Sequence, residues 1–171
     1  MGAPGVGKTH LVTRLSQQEG IFFFDRDMLY DGVFKDDRES PEYRQWTGPM
    51  TAVTWNIARD NARRGVSTIL ESPMAGVIQG NSGGFIDETL ADAGAHDYNL
   101  TLIYCVAPGE VIRGQLESRG LSRDAPKYET WEEFLATFVN VPGPKYEHLK
   151  IDTTQPVERN LDNIMTYFHR R

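Results

Sequence analysis

The sequence predicts an α/β fold, a parallel sheet flanked by helices, and three observations carry that prediction. Gly2 to Thr9 fit the pattern G-x-x-x-x-G-K-[ST] at every fixed position, the signature of a loop that cradles phosphate and opens a helix. Short β-prone runs then alternate with helical stretches, which is how parallel strands are connected. Acidic residues follow three of those runs, at the carboxyl ends of the strands, where such sheets bind ligands. The 171 residues suit one domain with a sizeable core.

The loop comes first. Its residues are Gly2, Ala3, Pro4, Gly5, Val6, Gly7, Lys8 and Thr9. Glycines let the backbone curl around a phosphate chain without a Cβ in the way. The N–H groups then form an anion nest, to which the following helix adds its positive dipole end. Lys8 brings a point charge to the outer phosphates, and the Thr9 hydroxyl suits Mg²⁺. A buried strand normally leads into this motif. With only Met1 ahead of it, that strand is expected to be absent from this chain.

A helix follows from about Gly7 to Gln18, with Leu11, Val12 and Leu15 as its apolar stripe and Gly20 as its stop. Ile21 to Phe24 reads as a buried strand that delivers Asp25-Arg26-Asp27. Ser40-Pro41-Glu42 reads as a helix start, and Gly48-Pro49 as the end of what precedes it. A separate helix is predicted over Met50 to Arg64, packing through Met50, Val53, Ile57 and Ala58, with Gly65 as its cap. Val66 to Leu70 is a strand ending at Glu71-Ser72. Residues 74–84, with four glycines, read as a mobile loop. A short helix near Phe85–Ala93 precedes a strand from Leu100 to Val106. A helix then runs from Pro108 to about Arg119, closed by Gly120. Thr130 to Glu133 has the form of a capping box, and the helix it opens is broken by Val141-Pro142-Gly143-Pro144. Leu149 to Asp152 is the last strand. Val157, Leu161, Ile164 and Phe168 form the stripe of a terminal helix.

Composition narrows the function. The chain is 39% hydrophobic and 25% charged, ordinary for a globular protein. A formal net charge of −6 counts against a broad hold on a nucleic-acid backbone. Cys105 is the sole cysteine; it reads as a buried small hydrophobe in a reducing compartment. No apolar run reaches membrane-spanning length, no secretory signal opens the chain, and the histidines lack metal-ligand spacing. A cytoplasmic protein without a membrane partner is the expectation.

The phosphate loop, the Arg-Asp after the second strand, the acid after the third and the arginine-bearing stretch from Arg113 to Lys127 together resemble the P-loop kinases of the polynucleotide-kinase and zeta-toxin kind. These belong to the three-layer adenylate-kinase-like fold. The resemblance covers nearly the whole chain, and it implies one kinase domain over 1–171 with a lid at about 119–129. It implies ATP and Mg²⁺ as cofactors and a hydroxyl-bearing acceptor as partner. By it, Asp27 is the general base that takes the acceptor's proton; the alternative is that Asp25 or Asp27 caps the next helix. Asp25, Arg26 and Tyr43 are then acceptor-side residues. Glu71 is a candidate for holding Mg²⁺ waters, or else a solvated strand-end acid. Arg119 and Arg123 are implied to swing over the nucleotide, where a planar fork meets phosphate oxygens. Arg113 is either a third lid arginine or one half of an ion pair with Glu110 or Glu117. Thr154 falls where this fold holds the adenine. Trp46 joins Tyr43 in the region that caps the acceptor pocket, and Trp55 is read as core.

Tyr30 stands near where those kinases often carry an arginine that engages an acceptor phosphate. That departure and the negative charge favour a small-molecule acceptor, such as a nucleoside, sugar or antibiotic. The second reading is a nucleic-acid kinase acting on a 5′-hydroxyl or a modified base, which would lose activity steeply with added salt. The third is an ATP-binding switch or ATPase without an acceptor.

Overall fold

The computed structural model describes residues 1–34, 40–71 and 84–170. In chain order its elements are α1 (Lys8–Glu19), β1 (Phe22–Asp25), α2 (Arg26–Phe34), α3 (Pro41–Arg63), β2 (Thr68–Glu71), α4 (Phe85–His96), β3 (Ile103–Val106) and α5 (Gly109–Arg119). A 3₁₀ turn (Ser122–Asp124) and α6 (Ala125–Glu129) follow. Then come α7 (Trp131–Phe134), a π-helical turn (Leu135–Val139), β4 (Leu149–Asp152) and α8 (Val157–Phe168). The predicted loop over 74–84 lies outside the described residues, apart from Gly84 at the start of α4.

The chain divides into two units. The first holds, among the described residues, Met1–Arg14 and 101–170. Its strands β3 and β4 run parallel, in register from Ile103 opposite Leu149 to Val106 opposite Asp152. Met1 and Gly2 extend this sheet. The Met1 amino group donates to the Ile103 carbonyl at 2.7 Å, the Cys105 N–H donates to the Met1 carbonyl at 2.8 Å, and Gly2 bridges Cys105 in parallel. A strand was expected to be missing ahead of the loop; the residues there already pair with β3. Val6, Cys105, Ile112, Leu116, Ile151, Leu161 and Ile164 are buried in this unit, so the predictions for Cys105 and for the centre of the terminal helix hold.

The second unit holds Leu15–Ser72 and Gly84–Leu100. Here β1 and β2 run parallel, from Phe22 opposite Thr68 to Asp25 opposite Glu71. The single predicted sheet therefore appears among the described residues as two parallel pairs, one in each unit. A two-stranded pair has no central strand, so both members keep an edge. That is why the run at Phe22, read as buried, leaves Phe22 itself half exposed.

Three local predictions fail for identifiable reasons. The stretch read as a helix end followed by a new helix is one continuous α3, with Ser40 capping it and Pro49 inside. Pro49 removes the N–H that would meet the Gln45 carbonyl, and the neighbouring turn is held instead by side chains. The Tyr30 and Thr51 hydroxyls both donate to the Thr47 carbonyl, at 2.6 and 2.7 Å. The buried face of α3 is also rotated: Val53 and Ile57 are exposed, while Thr54 and Trp55 are buried. Trp55 stacks on Phe85 of α4 at 6.0 Å. Arg59 reaches Glu88, and Arg63 forks onto Asp92. Ion pairs to α4, not aliphatic contacts, continue that face.

The capping box at α7 does not form. Thr130 directly follows α6, and its hydroxyl donates back to the Pro126 carbonyl at 3.2 Å. Such back-bonding competes with capping for the same oxygen.

Candidate active site

In the first unit the phosphate loop is shaped by its own chain. Gly2, Gly5 and Gly7 have φ of +150°, +78° and +89°, values that L side chains rarely adopt. The space matters as much as the angle. A Cβ on Gly2 would stand 2.5 Å from the Cys105 carbonyl oxygen, and one on Gly5 would stand 2.6 Å from Leu116 of α5. The glycines were expected to clear room for a ligand; at these two positions they also clear room for β3 and α5.

Lys8, the first residue of α1, is buried, and its Nζ donates to the Gly2 and Ala3 carbonyls at 3.0 and 2.9 Å. The ammonium therefore folds over the loop's entry. The Val6 N–H donates to the Ala3 carbonyl at 3.3 Å, closing the turn through Pro4 and Gly5. The Gly7 carbonyl accepts from Leu11 N–H, so α1 begins at the loop and Thr9 lies exposed in its first turn.

The end of β4 supports the loop. The Thr153 hydroxyl donates to the Val6 carbonyl at 2.6 Å. Asp152 accepts the Thr154 N–H at 2.9 Å and its hydroxyl at 2.7 Å, and these bonds lower the Asp152 pKa. Asn160 of α8, which is buried, donates to the Asp152 carbonyl at 2.9 Å. Thr154, placed by sequence at the adenine, is exposed beside this turn.

The predicted lid is built on Asp124, which is fully buried. Arg119 grips it with two bonds, at 2.5 and 2.7 Å, and Lys127 with a third. Burial alone would raise the pKa of this carboxyl, yet the hydrogen bonds from Arg119 and Lys127 hold it below the usual range. Arg119 is thus engaged within this cluster. Lys127 also donates to the Arg123 carbonyl at 3.2 Å, and the Arg123 side chain is half-buried. Arg113 takes the plainer of its two readings: it pairs with Glu117 at 3.0 Å on the helix surface and lies over Trp131.

In the second unit, register sets Asp25 opposite Glu71 at the carboxyl ends of β1 and β2. Asp25 Oδ1 accepts the Asp27 N–H at 2.8 Å, so the helix-capping role falls to Asp25. The Asp27 side chain is 39% exposed, and its carboxylate lies 3.9 Å from the Arg26 guanidinium. Arg26 reaches Thr51 at 3.4 Å and lies over the Tyr30 ring at 4.9 Å. Its Nε is buried with no partner among the described residues. Tyr30 is fully buried, and Tyr43 packs against Tyr30 and Phe34 at 5.5 and 5.4 Å. Tyr43 is therefore part of an aromatic cluster as well as an acceptor-side candidate. Trp46 is half exposed, and Trp55 is core as expected.

Sequence reasoning gave no role to Asn160, set Thr153 with Thr154 at the adenine, and gave Asp124 and Lys127 only the shaping of the lid. For Asp124 a signal existed: a lone acid with Arg119 five residues before it and Lys127 three after. No group of three or more His, Cys, Asp or Glu side chains that could hold a metal occurs among the described residues. No helix is long and apolar enough to cross a membrane.

Comparison with known proteins agrees with this geometry. The family model for the AAA domain (AAA_33) matches residues 1–141. A sugar kinase from Janibacter sp. HTCC2649 superposes with a TM-score of 0.64 at 20% identity, covering 99% of this chain and 91% of its own. The Mycobacterium tuberculosis APS kinase CysC, solved with AMPPNP and APS, does so with a TM-score of 0.64 at 15% identity, covering 99% and 94%. The protein APE1195 is 27% identical with a TM-score of 0.63, covering 97% and 90%. Among curated proteins, none matches the sequence.

Proposed function

Because this chain belongs to the AAA domain family, with the fold of a P-loop nucleoside triphosphatase, we propose that it is an ATP-dependent kinase that transfers the γ-phosphate to a hydroxyl group of a small molecule, such as a nucleoside, a sugar or an antibiotic. The observation that carries this is the loop from Gly2 to Thr9. Its left-handed glycines and Lys8 bent over its entry support the reading of a cradle for a polyphosphate. The small-molecule acceptor is supported by the shared fold with proteins described as a sugar kinase and an APS kinase, and by burial of Tyr30 where a phosphate-binding arginine would serve a nucleic-acid end.

We read residues 1–171 as one cytoplasmic kinase domain with a lid at about 119–129. In this reading the loop amides and Lys8 hold the phosphates. The acceptor oxygen attacks the γ-phosphorus, the bond to the ADP oxygen breaks, and Asp27 takes the acceptor's proton. Arg119 meets a phosphate only by exchanging the Asp124 carboxylate for it, and Arg123 joins it over the nucleotide. Asp25 and Arg26 position Asp27, and Tyr43 borders the acceptor.

In this reading Mg²⁺ takes the Thr9 hydroxyl, with Glu71 on its waters, since Mg²⁺ takes one or two protein oxygens and completes its shell with phosphate oxygens and water. The ion neutralises phosphate charge when bound.

The test is γ-labelled ATP incubated with a panel of hydroxyl-bearing acceptors. Label on one acceptor, with a rate little changed by added salt, is expected. Label released only as inorganic phosphate replaces the kinase with an ATPase, and a rate that collapses with salt points to nucleic acid.

A further inference from the structure

We propose that Thr153 is a positioning residue of the phosphate loop, its hydroxyl setting the direction of the Gly7 N–H that meets a phosphate oxygen. The inference rests on the kinase reading and deepens it.

The hydrogen-bond inventory leads there. A threonine hydroxyl has one proton. Thr153 Oγ1 lies 2.6 Å from the Val6 carbonyl and 3.2 Å from the Val106 carbonyl. The Val106 carbonyl already accepts the Thr153 N–H at 3.0 Å. The much shorter distance to Val6 sends the hydroxyl proton there. Across a planar trans peptide the carbonyl and the next N–H point in opposite directions. Holding the Val6 carbonyl toward β4 thus turns the Gly7 N–H away from β4, to the side where α1 opens.

Thr153 is itself fixed from both sides. Its N–H is tied to β3, the Asp152 carboxylate gathers Thr154, and Asn160 holds the Asp152 carbonyl. A glycine at position 7 has no side chain with which to settle its own peptide, and its φ of +89° lies in a region open to it in more than one way. The constraint comes from across the sheet. A Cβ on Gly7 would find Thr153 at an ordinary contact distance of 3.6 Å, so steric contact does not replace the hydrogen bond.

The experiment is calorimetric binding of ADP and of pyrophosphate to the wild type, Thr153→Val and Thr153→Ser. Valine keeps the shape and removes the donor; serine keeps the donor. About a tenfold loss of affinity is expected in Thr153→Val, equal for ADP and pyrophosphate, with Thr153→Ser close to wild type. A loss confined to ADP would make Thr153 a base-side contact and overturn the inference. So would unchanged binding in Thr153→Val, or a Thr153→Ser as weak as the valine variant. A wild type that binds neither ligand overturns the kinase reading and this inference with it. If Thr153→Val does not fold, the Gly7 amide resonance of the wild type decides: it moves strongly on adding pyrophosphate, or the proposal fails.

Discussion

The unit that carries the phosphate loop closes its polar groups on one another, and the unit that carries the strand-end carboxylates leaves a buried donor unmet among the described residues. In the first, Lys8 and Thr153 each take loop carbonyls, and Asp124 lies fully buried between two cations. In the second, Asp27 is partly exposed at a loose 3.9 Å from Arg26, and the Arg26 Nε is buried without an acceptor among the described residues. An unmet buried donor costs about 1–3 kcal/mol. A triphosphate tail is the same on every turnover and suits a preset cradle. Groups that hand a proton from an acceptor and change partners during the reaction suit the looser arrangement.

That contrast can be broken first at Asp27. Asp27→Asn is expected to lower the turnover rate about 10²–10⁴-fold while leaving ADP affinity unchanged, measured by labelled transfer and calorimetry. Transfer near the wild-type rate would remove Asp27 as the base and with it the functional half of the comparison.

Asp124→Ala tests the closed unit. It strands Arg119 and Lys127 beside a buried gap, and breaking a buried pair destabilises by about 3–5 kcal/mol. Urea unfolding of the variant should show it; a midpoint unchanged from wild type would mean that the lid cluster contributes nothing to the fold.

Asp92 sharpens the comparison, because it is a carboxylate of the second unit that is pinned comparably. Hydrogen bonds from Arg63 and Tyr98 pull its pKa down to about 2. The folded value lies below the ordinary carboxylate value of about 3.9. The stability it contributes is therefore present above that ordinary value and is lost as pH falls toward about 2. Asp92→Asn should flatten the acid limb of the unfolding midpoint between pH about 4 and about 2; an unchanged acid limb would show the pin to be inert.

The smallest effect belongs to Arg113→Ala. Its pair with Glu117 is half exposed on both sides, and such pairs contribute about 0.2–1 kcal/mol. A loss of nucleotide affinity as large as that of Thr153→Val would return Arg113 to the lid machinery.

Much of this was legible in the chain. The phosphate loop, β4 and α8 fall where local pattern puts them, since each is specified by residues adjacent in sequence. The turn at Gly48-Pro49 was misread because the bonds that carry α3 through Pro49 come from Thr51 and from Tyr30, which is seventeen residues before Thr47. The buried face of α3 was misread because arginines at 59 and 63 continue it through ion pairs, which a search for aliphatic stripes passes over. The bond from Thr153 to Val6 was invisible because its two ends are 147 positions apart. Asp25 and Asp27 look alike in sequence, and only backbone geometry divides them into a helix cap and an exposed carboxylate.

The contact between Gly5 and Leu116 has a mechanical consequence. Leu116 is wholly buried, three residues before Arg119, on the helix that leads into the proposed lid. Position 5 leaves no clearance there for even a methyl group, so α5 rests on the loop as on a bearing. A larger side chain at position 5 would lift α5 off that bearing, and with it the root of the proposed lid.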